Sequence, residues 1–424
     1  MKRLLLALLC VFWPIFASAS SLEEAEAALR RGQTDAALSF AQSHRPTDGA
    51  ETIRRLWVLG VAYNRQNRPR AAIDPLNRLV ALAPAQSEFR LELALSLIRA
   101  GQSERARYHL GLAQGADLAP AVRARVESEI DTIDKSRNWQ GYIRFAIAPE
   151  SNAARRTAAE IISLGGFTFR LVPGARAQPA TGVELGFGLA AMPRLSDDLR
   201  ARLSVDASTR LFRGRAPDDL TLRAGAALLH FGDRGRQLSA EVFTSRRWLD
   251  NQHYSQSLGV EFRHSRLIGN RANLTVSAQR ERLHYRQPAY IVDRTAVGLQ
   301  FVHATTAQLQ LHASARAEVR HSQNQLAAGH AIGVTIGGQY SFTGGLRAGL
   351  TLSQDYNTFP GLHPLFGVRR TDRKSAATLQ INNQNWSRFG FSPVLKIAYE
   401  RQHSSIVVNS YSNLSASVSL TRAF

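Results

Sequence analysis

Cysteine is nearly missing from this chain. The single thiol, Cys10, lies inside an apolar run near the start, so the remainder has no disulfide, no thiol chemistry and no cysteine metal site. Metal-spaced histidine is missing too: the twelve His are scattered, and none form a His-Glu-x-x-His pair. After the opening run, no apolar stretch approaches the length of a transmembrane helix. Nor is there a convincing active site. Asp250, His253 and Ser255 lie close together, but as neighbours in an apparent external loop they make a poor nucleophile and base. The expectation is a protein that is not an enzyme and takes no cofactor.

The chain opens with Lys2 and Arg3, an apolar run from Leu4 to Phe16, and then the small residues Ala17, Ser18 and Ala19. That is the pattern of a secretory signal peptide over residues 1–19. Leu9 before Cys10 is too large for a lipidation signal, so the thiol is expected to leave with the signal. An exported chain without a helical span is periplasmic, secreted or a barrel, because only helices and closed barrels satisfy their backbone in lipid. The formal charge is +20, or +18 without Lys2 and Arg3. Export argues against nucleic acid as the partner of this excess. Lipopolysaccharide phosphates, a cationic lumen or a general Arg bias each account for it.

Residues 20–137 are rich in Ala, Leu, Glu and Arg and show helical periodicity. Leu56, Leu59, Gly60, Tyr63, Ala72, Leu76, Leu79 and Pro84 match tetratricopeptide spacing. Thirty-four residues on, Leu93, Ala94, Leu97, Ala106, Leu110 and Ala113 repeat it, with Pro120 two places late. The small residues allow close helix approach, and each proline is expected to end the second helix of a unit. A periplasmic tetratricopeptide-like domain follows from this reading, with a plain helical bundle as the alternative.

After Asn138 the texture changes to alternation. In 308–320, Leu309, Leu311, Ala313, Ala315, Ala317 and Val319 face one way, while Gln, His, Ser, Arg and Glu face the other. The final segment does the same, with Leu414, Ala416, Val418 and Leu420 opposite Asn413, Ser415, Ser417, Ser419 and Thr421. A membrane strand shows apolar groups to lipid and polar ones to a lumen. A soluble sandwich would not place Arg, Glu and Gln on the minority face of nearly every strand. Counting back from Phe424, read as the barrel-assembly signal, gives fourteen strands, the first at 161–172. The expectation is a transmembrane antiparallel β-barrel over 161–424, both ends periplasmic, with 138–160 a linker or lumen segment, although Trp139 to Ala148 also looks strand-like and would be a fifteenth strand. Loops 285–293, 321–330, 358–373 and 403–410 are expected to be long and external. Aromatics near strand ends, such as Phe231, Trp248, Tyr285 and Tyr356, suit the headgroup boundary.

Several stretches together resemble the surface lipoprotein assembly modulators (Slam), the type eleven secretion outer-membrane translocons. Pro149-Glu150-Ser151-Asn152 is similar to the family's Pro-Asp-Ser-Asn segment, with Glu150 in place of Asp. His363-Pro364-Leu365-Phe366-Gly367, followed by Arg369 and Arg370, resembles its long external loop. Phe389-Gly390-Phe391-Ser392-Pro393-Val394-Leu395, then Tyr399-Glu400-Arg401, resembles its penultimate strand; Arg246-Arg247-Trp248 also fits. The resemblance implies a translocon moving a surface lipoprotein, or a secreted haem- or metal-binding protein with a small β-barrel domain, across the outer membrane. Expected partners are that cargo, outer-membrane lipids and lipopolysaccharide, and the barrel assembly machinery, with no nucleic acid. A polysaccharide exporter and a passive porin with an accessory domain are the alternatives.

Overall fold

The computed structural model describes residues 21–423 except 165, 215, 234, 287, 384–385 and 387–390. The signal-peptide residues with Cys10, and also Phe389, Gly390 and Phe424, lie outside the described residues. The chain divides into two compact units, Met1–Pro75 and Leu76–Phe424.

The first unit holds α1 (Ser21–Arg30), α2 (Thr34–Ser43), α3 (Gly49–Arg65) and the start of α4 (Pro69–Leu82). Its core is mostly alanine and valine: Ala25, Ala28, Ala37, Ala41, Val58 and Ala62, with Trp57 and Tyr63 packed against it. Small side chains let the helix axes approach closely, so little volume buries much backbone. Asp48 caps α3 by accepting from the Glu51 N–H at 2.7 Å, and Glu51 accepts in return from the Thr47 N–H at 2.7 Å. These bonds satisfy amides that the first helical turn leaves open.

In the second unit, α5 (Ser87–Arg99) and α6 (Ser103–Ala113) form a hairpin turned by Gly101 at φ +73°, a conformation that costs glycine little. The expected helical positions Leu56, Gly60, Ala72, Pro84, Ala94 and Ala106 are buried, and Tyr63 is half-buried. Such a core serves a tetratricopeptide pair and a plain bundle alike. Pro120 does not end a helix as expected. It opens α7 (Pro120–Ser136) at a first-turn position, where its missing N–H would have had no partner anyway.

Beyond the helices, fourteen strands close into one antiparallel barrel. They are β1 (Trp139–Glu150), β4 (Ala180–Ala191), β5 (Leu199–Phe212), β6 (Asp219–Phe231), β7 (Gln237–Leu249), β8 (Gln252–Ile268) and β9 (Ala272–Arg286), then β10 (Ala289–Ala304), β11 (Leu309–His321), β12 (Gly329–Ser341), β13 (Leu346–Leu362), β14 (Arg369–Asn383), β15 (Ser392–Ser404) and β16 (Tyr411–Ala423). The remaining two, β2 (Ile161–Leu164) and β3 (Phe167–Arg170), make a separate hairpin inside the loop that follows β1.

The strand number therefore matches the expectation while the first strand does not. Residues 139–150 are neither linker nor lumen segment: they pair with β16 on one side and β4 on the other. Ile143, Phe145 and Ile147 are exposed on β1, while Ala146, Ala148 and Glu150 are buried. The 161–172 segment cannot take that place, because four-residue strands fall short of the nine to eleven residues a tilted membrane strand needs. Two loop expectations also change. The 285–293 loop is a tight connection between β9 and β10, with Tyr285 stacked on Tyr290 at 4.5 Å between ring centroids. The 358–373 loop shrinks to 363–368, because β13 and β14 keep pairing past their apolar positions.

Candidate functional site

The strand alternation sorts side chains to two sides of one wall. Leu258, Phe262, Ile332, Ile336 and Val418 are each more than half exposed, on the outside. The opposite positions carry paired charges. Arg223 reaches Glu241 at 3.1 Å and Glu261 at 3.9 Å, and its guanidinium lies 3.7 Å from the Phe243 ring centroid. Glu318 collects Arg316 at 3.5 Å, Arg320 at 3.6 Å and Arg294 at 3.7 Å; Arg294 also bonds Glu281. Glu281 and Glu318 are buried against the wall and Glu241 and Glu261 are half-buried, whereas the arginines stay partly open to the lumen. Arginine tolerates this placement because its fork bridges neighbouring strands while its charge remains hydrated.

The segment Pro149 to Asn152 sits at the junction of first and last strands. The β1–β4 ladder runs unbroken from Trp139↔Ala191 to Glu150↔Ala180, but the β1–β16 ladder stops at Ile147↔Val418 and resumes only at Glu150↔Ser415. Pro149 falls in that gap and has no N–H to donate. A side-chain clip closes the seam beyond it. Asn413 Nδ2 donates to buried Glu150 Oε2 at 2.7 Å, and its Oδ1 accepts from the Asn152 N–H at 2.9 Å. The Ser151 N–H donates to the Leu414 carbonyl at 2.9 Å, Leu414 N–H returns to Ser151 Oγ at 2.8 Å, and Asn152 Nδ2 reaches the Ser412 carbonyl at 3.0 Å. Arg210 and Arg155 approach Glu150 at 3.4 and 3.8 Å. Arg155 also donates to Glu400 at 2.5 Å, and Lys374 holds Glu400 at 2.8 Å. The first family-like stretch and the Tyr399-Glu400-Arg401 stretch, far apart in sequence, thus meet in one polar network. Nothing in the sequence pattern signalled Asn413 as their partner, since it reads there as one polar residue among five.

The other stretches lie apart from this network. His363 to Gly367 make the short external turn between β13 and β14: the Gly367 N–H donates to the His363 carbonyl at 2.8 Å, and Gly367 adopts φ +65°. Leu365 is exposed there, and Phe366 packs edge-on against His363. Arg369 offers its carbonyl to Ser405 Oγ at 3.0 Å, and Arg370 pairs with Asp372 at 2.6 Å. Phe391 lies about 6.0 Å from the Arg422 guanidinium, and Pro393 pairs opposite Leu420. Arg247 forks onto Asp219 at 2.7 and 2.9 Å, while Arg246 and Trp248 face outward. Asp250, His253 and Ser255 are not drawn together: Asp250 Oδ1 accepts from the Asp218 N–H at 2.9 Å, and among the described residues no bond links the three.

At the other end of the barrel, the second unit's helices touch the turns between strands. Gly344 N–H donates to the Ala81 carbonyl at 2.7 Å, Arg271 to the Ala116 carbonyl at 3.3 Å, and Lys135 meets Asp198 at 3.4 Å. Gly115 lies so close to Thr306 that a Cβ would collide with its carbonyl. Arg347 stacks over Tyr108 at 4.3 Å. Beneath this contact Arg90 is fully buried, donating to the Pro84 carbonyl at 2.9 and 3.2 Å; burial pushes its pKa down to about 10. His109 beside it is held well below the ordinary imidazole range, by burial first and then by Arg347, Arg90 and Arg105.

An even-stranded closed cylinder with an aliphatic exterior and a charged interior is an outer-membrane β-barrel, the one β-architecture that leaves no backbone group unpaired in lipid. The helices of the second unit lie on its periplasmic side. The chain belongs to the surface lipoprotein assembly modifier family, whose model matches residues 139–424. A protein of that name from Moraxella catarrhalis is 21% identical over 387 residues, covering 89% of this chain and 75% of the relative. Among solved structures, a FadL homologue of Pseudomonas aeruginosa is 12% identical, with a TM-score of 0.41 over 76% of this chain and 93% of that one. The outer membrane channel DcaP of Acinetobacter baumannii is 8% identical, also at 0.41, covering 68% and 96%.

Proposed function

We propose that this protein is an outer-membrane translocon that delivers a protein cargo to the cell surface or beyond it. The family it belongs to is described by surface lipoprotein assembly, and a lipoprotein or a secreted haem- or metal-binding protein is the cargo class this reading takes. The observation that carries it is the join between helices and barrel. The helices from Ala81 onward are bonded to the periplasmic turns after β8, β10 and β12, so a cargo held there is held at the entrance of the barrel. In this reading the tetratricopeptide-like helices recognise the cargo, the barrel provides its route, and the barrel assembly machinery inserts the translocon itself. The periplasm has no ATP, so folding or capture of the cargo outside drives the direction.

The test is to express the chain together with a lipoprotein encoded beside it and to measure protease-accessible cargo on intact cells. Surface cargo is expected to rise several-fold over a vector control. No rise, with the barrel folded in the outer membrane, overturns the reading.

A further inference from the structure

The longest run of basic residues on the outside of the barrel lies on one strand. On β9 four successive outward positions carry nitrogen donors: Arg280, Arg282, His284 and Arg286. They stand directly above Leu274, Val276 and Ala278, which belong to the apolar band. Arg282 is committed to Asp293, at 2.7 and 3.0 Å. Asp293 is also the sole outward carboxylate on β7–β11 among the described residues. Arg280, His284, Arg286 and the neighbouring Arg246 form no ion pair there. On β1, β4 and β5 the outward positions at the same end are Ile147, Pro149, Thr181, Val183, Thr209 and Leu211, without a charge among them, whereas β14 and β15 carry Arg373, Arg401 and His403 there.

Two grooves meet at this patch. One, of about 660 Å³, runs from Val205, Leu222 and Leu258 up to Arg246, Trp248 and His284. The other, of about 1410 Å³, continues past His284 to Arg282, Arg286, His321 and His330. His284 lines both. The first groove begins among side chains that face hydrocarbon and ends among cations and an indole, the order of groups met along an amphiphile from its acyl chain to its phosphate. A soluble anion would have no use for the apolar half.

We propose that this face binds the phosphate groups of an outer-leaflet phosphoglycolipid of the lipid A type, with Arg280, His284, Arg286 and Arg246 as its donors. Guanidinium groups on β7 and β9, held either side of β8, match phosphate oxygens with little loss of freedom on binding. The site lies outside the lumen and is independent of the cargo reading, so either can fail alone.

The test uses the full chain purified in mild detergent, with bound lipid read by native mass spectrometry. The probes are lipid A, its dephosphorylated form and phosphatidylglycerol. The variant Arg280→Gln/His284→Gln/Arg286→Gln leaves the Arg282–Asp293 pair intact and removes only exposed charges. Wild type is expected to retain lipid A. The triple variant should bind it at least about tenfold more weakly, at roughly one lost surface-phosphate contact per cation. Arg286→Gln alone should fall between the two, and Arg373→Gln/Arg401→Gln, on a different part of the wall, should match wild type. Undiminished lipid A on the folded triple variant, or equal retention of the dephosphorylated form, overturns the site. Equal retention of phosphatidylglycerol overturns the glycolipid assignment.

Discussion

Glu150 is the residue on which the seam turns. Its carboxylate is buried and accepts from Asn413, with two arginines near, at a place where Pro149 has already removed a ladder bond. Leaving such a group without its donor costs about 1–3 kcal/mol. The Asn413→Ala variant should therefore lower the temperature at which the detergent-solubilised barrel unfolds, read from its heat-modifiable migration on gels. Ser415→Ala, on the same strand as Asn413, loses only a long 3.4 Å bond to the Ala398 carbonyl of β15 and should shift it little. Equal midpoints for the two variants would show that the clip carries no stability. Glu150 could be singled out from sequence only through its family-like context, because the partner that explains it sits 263 positions away.

At the scale of elements, alternation revealed the barrel strands wherever aliphatic and polar residues took turns, as in β11 and β16. It marked β1 as strand-like too, but an even count had already been filled by 161–172, where alternation is genuine but too short to cross lipid. Loop lengths were misread for a related reason: outside the hydrocarbon, strands such as β9 and β13 extend with polar and aromatic residues that a membrane pattern does not flag. The helices α5 and α6 were legible from small-residue spacing, but their buried cations were not. His109 faces Arg90, Arg105 and Arg347, with Tyr108 edge-on, and no carboxylate presses on it from any of these elements. Its folded pKa lies below the unfolded value near 6.5, so the unfolded chain binds the proton first as pH falls. Packing of α5 and α6 is thus fully stable above about pH 6.5 and loses up to about 1.4 kcal/mol per unit below it, until the depressed pKa is reached. Amide exchange in 87–113 should accelerate on acidification from pH 7 to pH 5 in wild type, and distinctly less in His109→Gln. The same acceleration in both would remove histidine as the cause.

For the whole molecule, the decisive physical fact is that the wall's outer surface is aliphatic and its inner surface charged. Purified protein should be monomeric and β-rich in detergent and should precipitate or associate when detergent is withdrawn, checked by circular dichroism and light scattering. A monodisperse β-rich solution in plain buffer would contradict the membrane assignment. The clip also says something about time. Residues 150–152 are synthesised well before residues 412–414, because the Asn152–Asn413 contact spans 261 positions. That clasp cannot fasten on a truncated or stalled product, which would be left with an uncovered acid at an open edge. Fastening therefore marks the moment when manufacture of the cylinder is complete, and an unfastened intermediate differs chemically from the finished article at one recognisable spot.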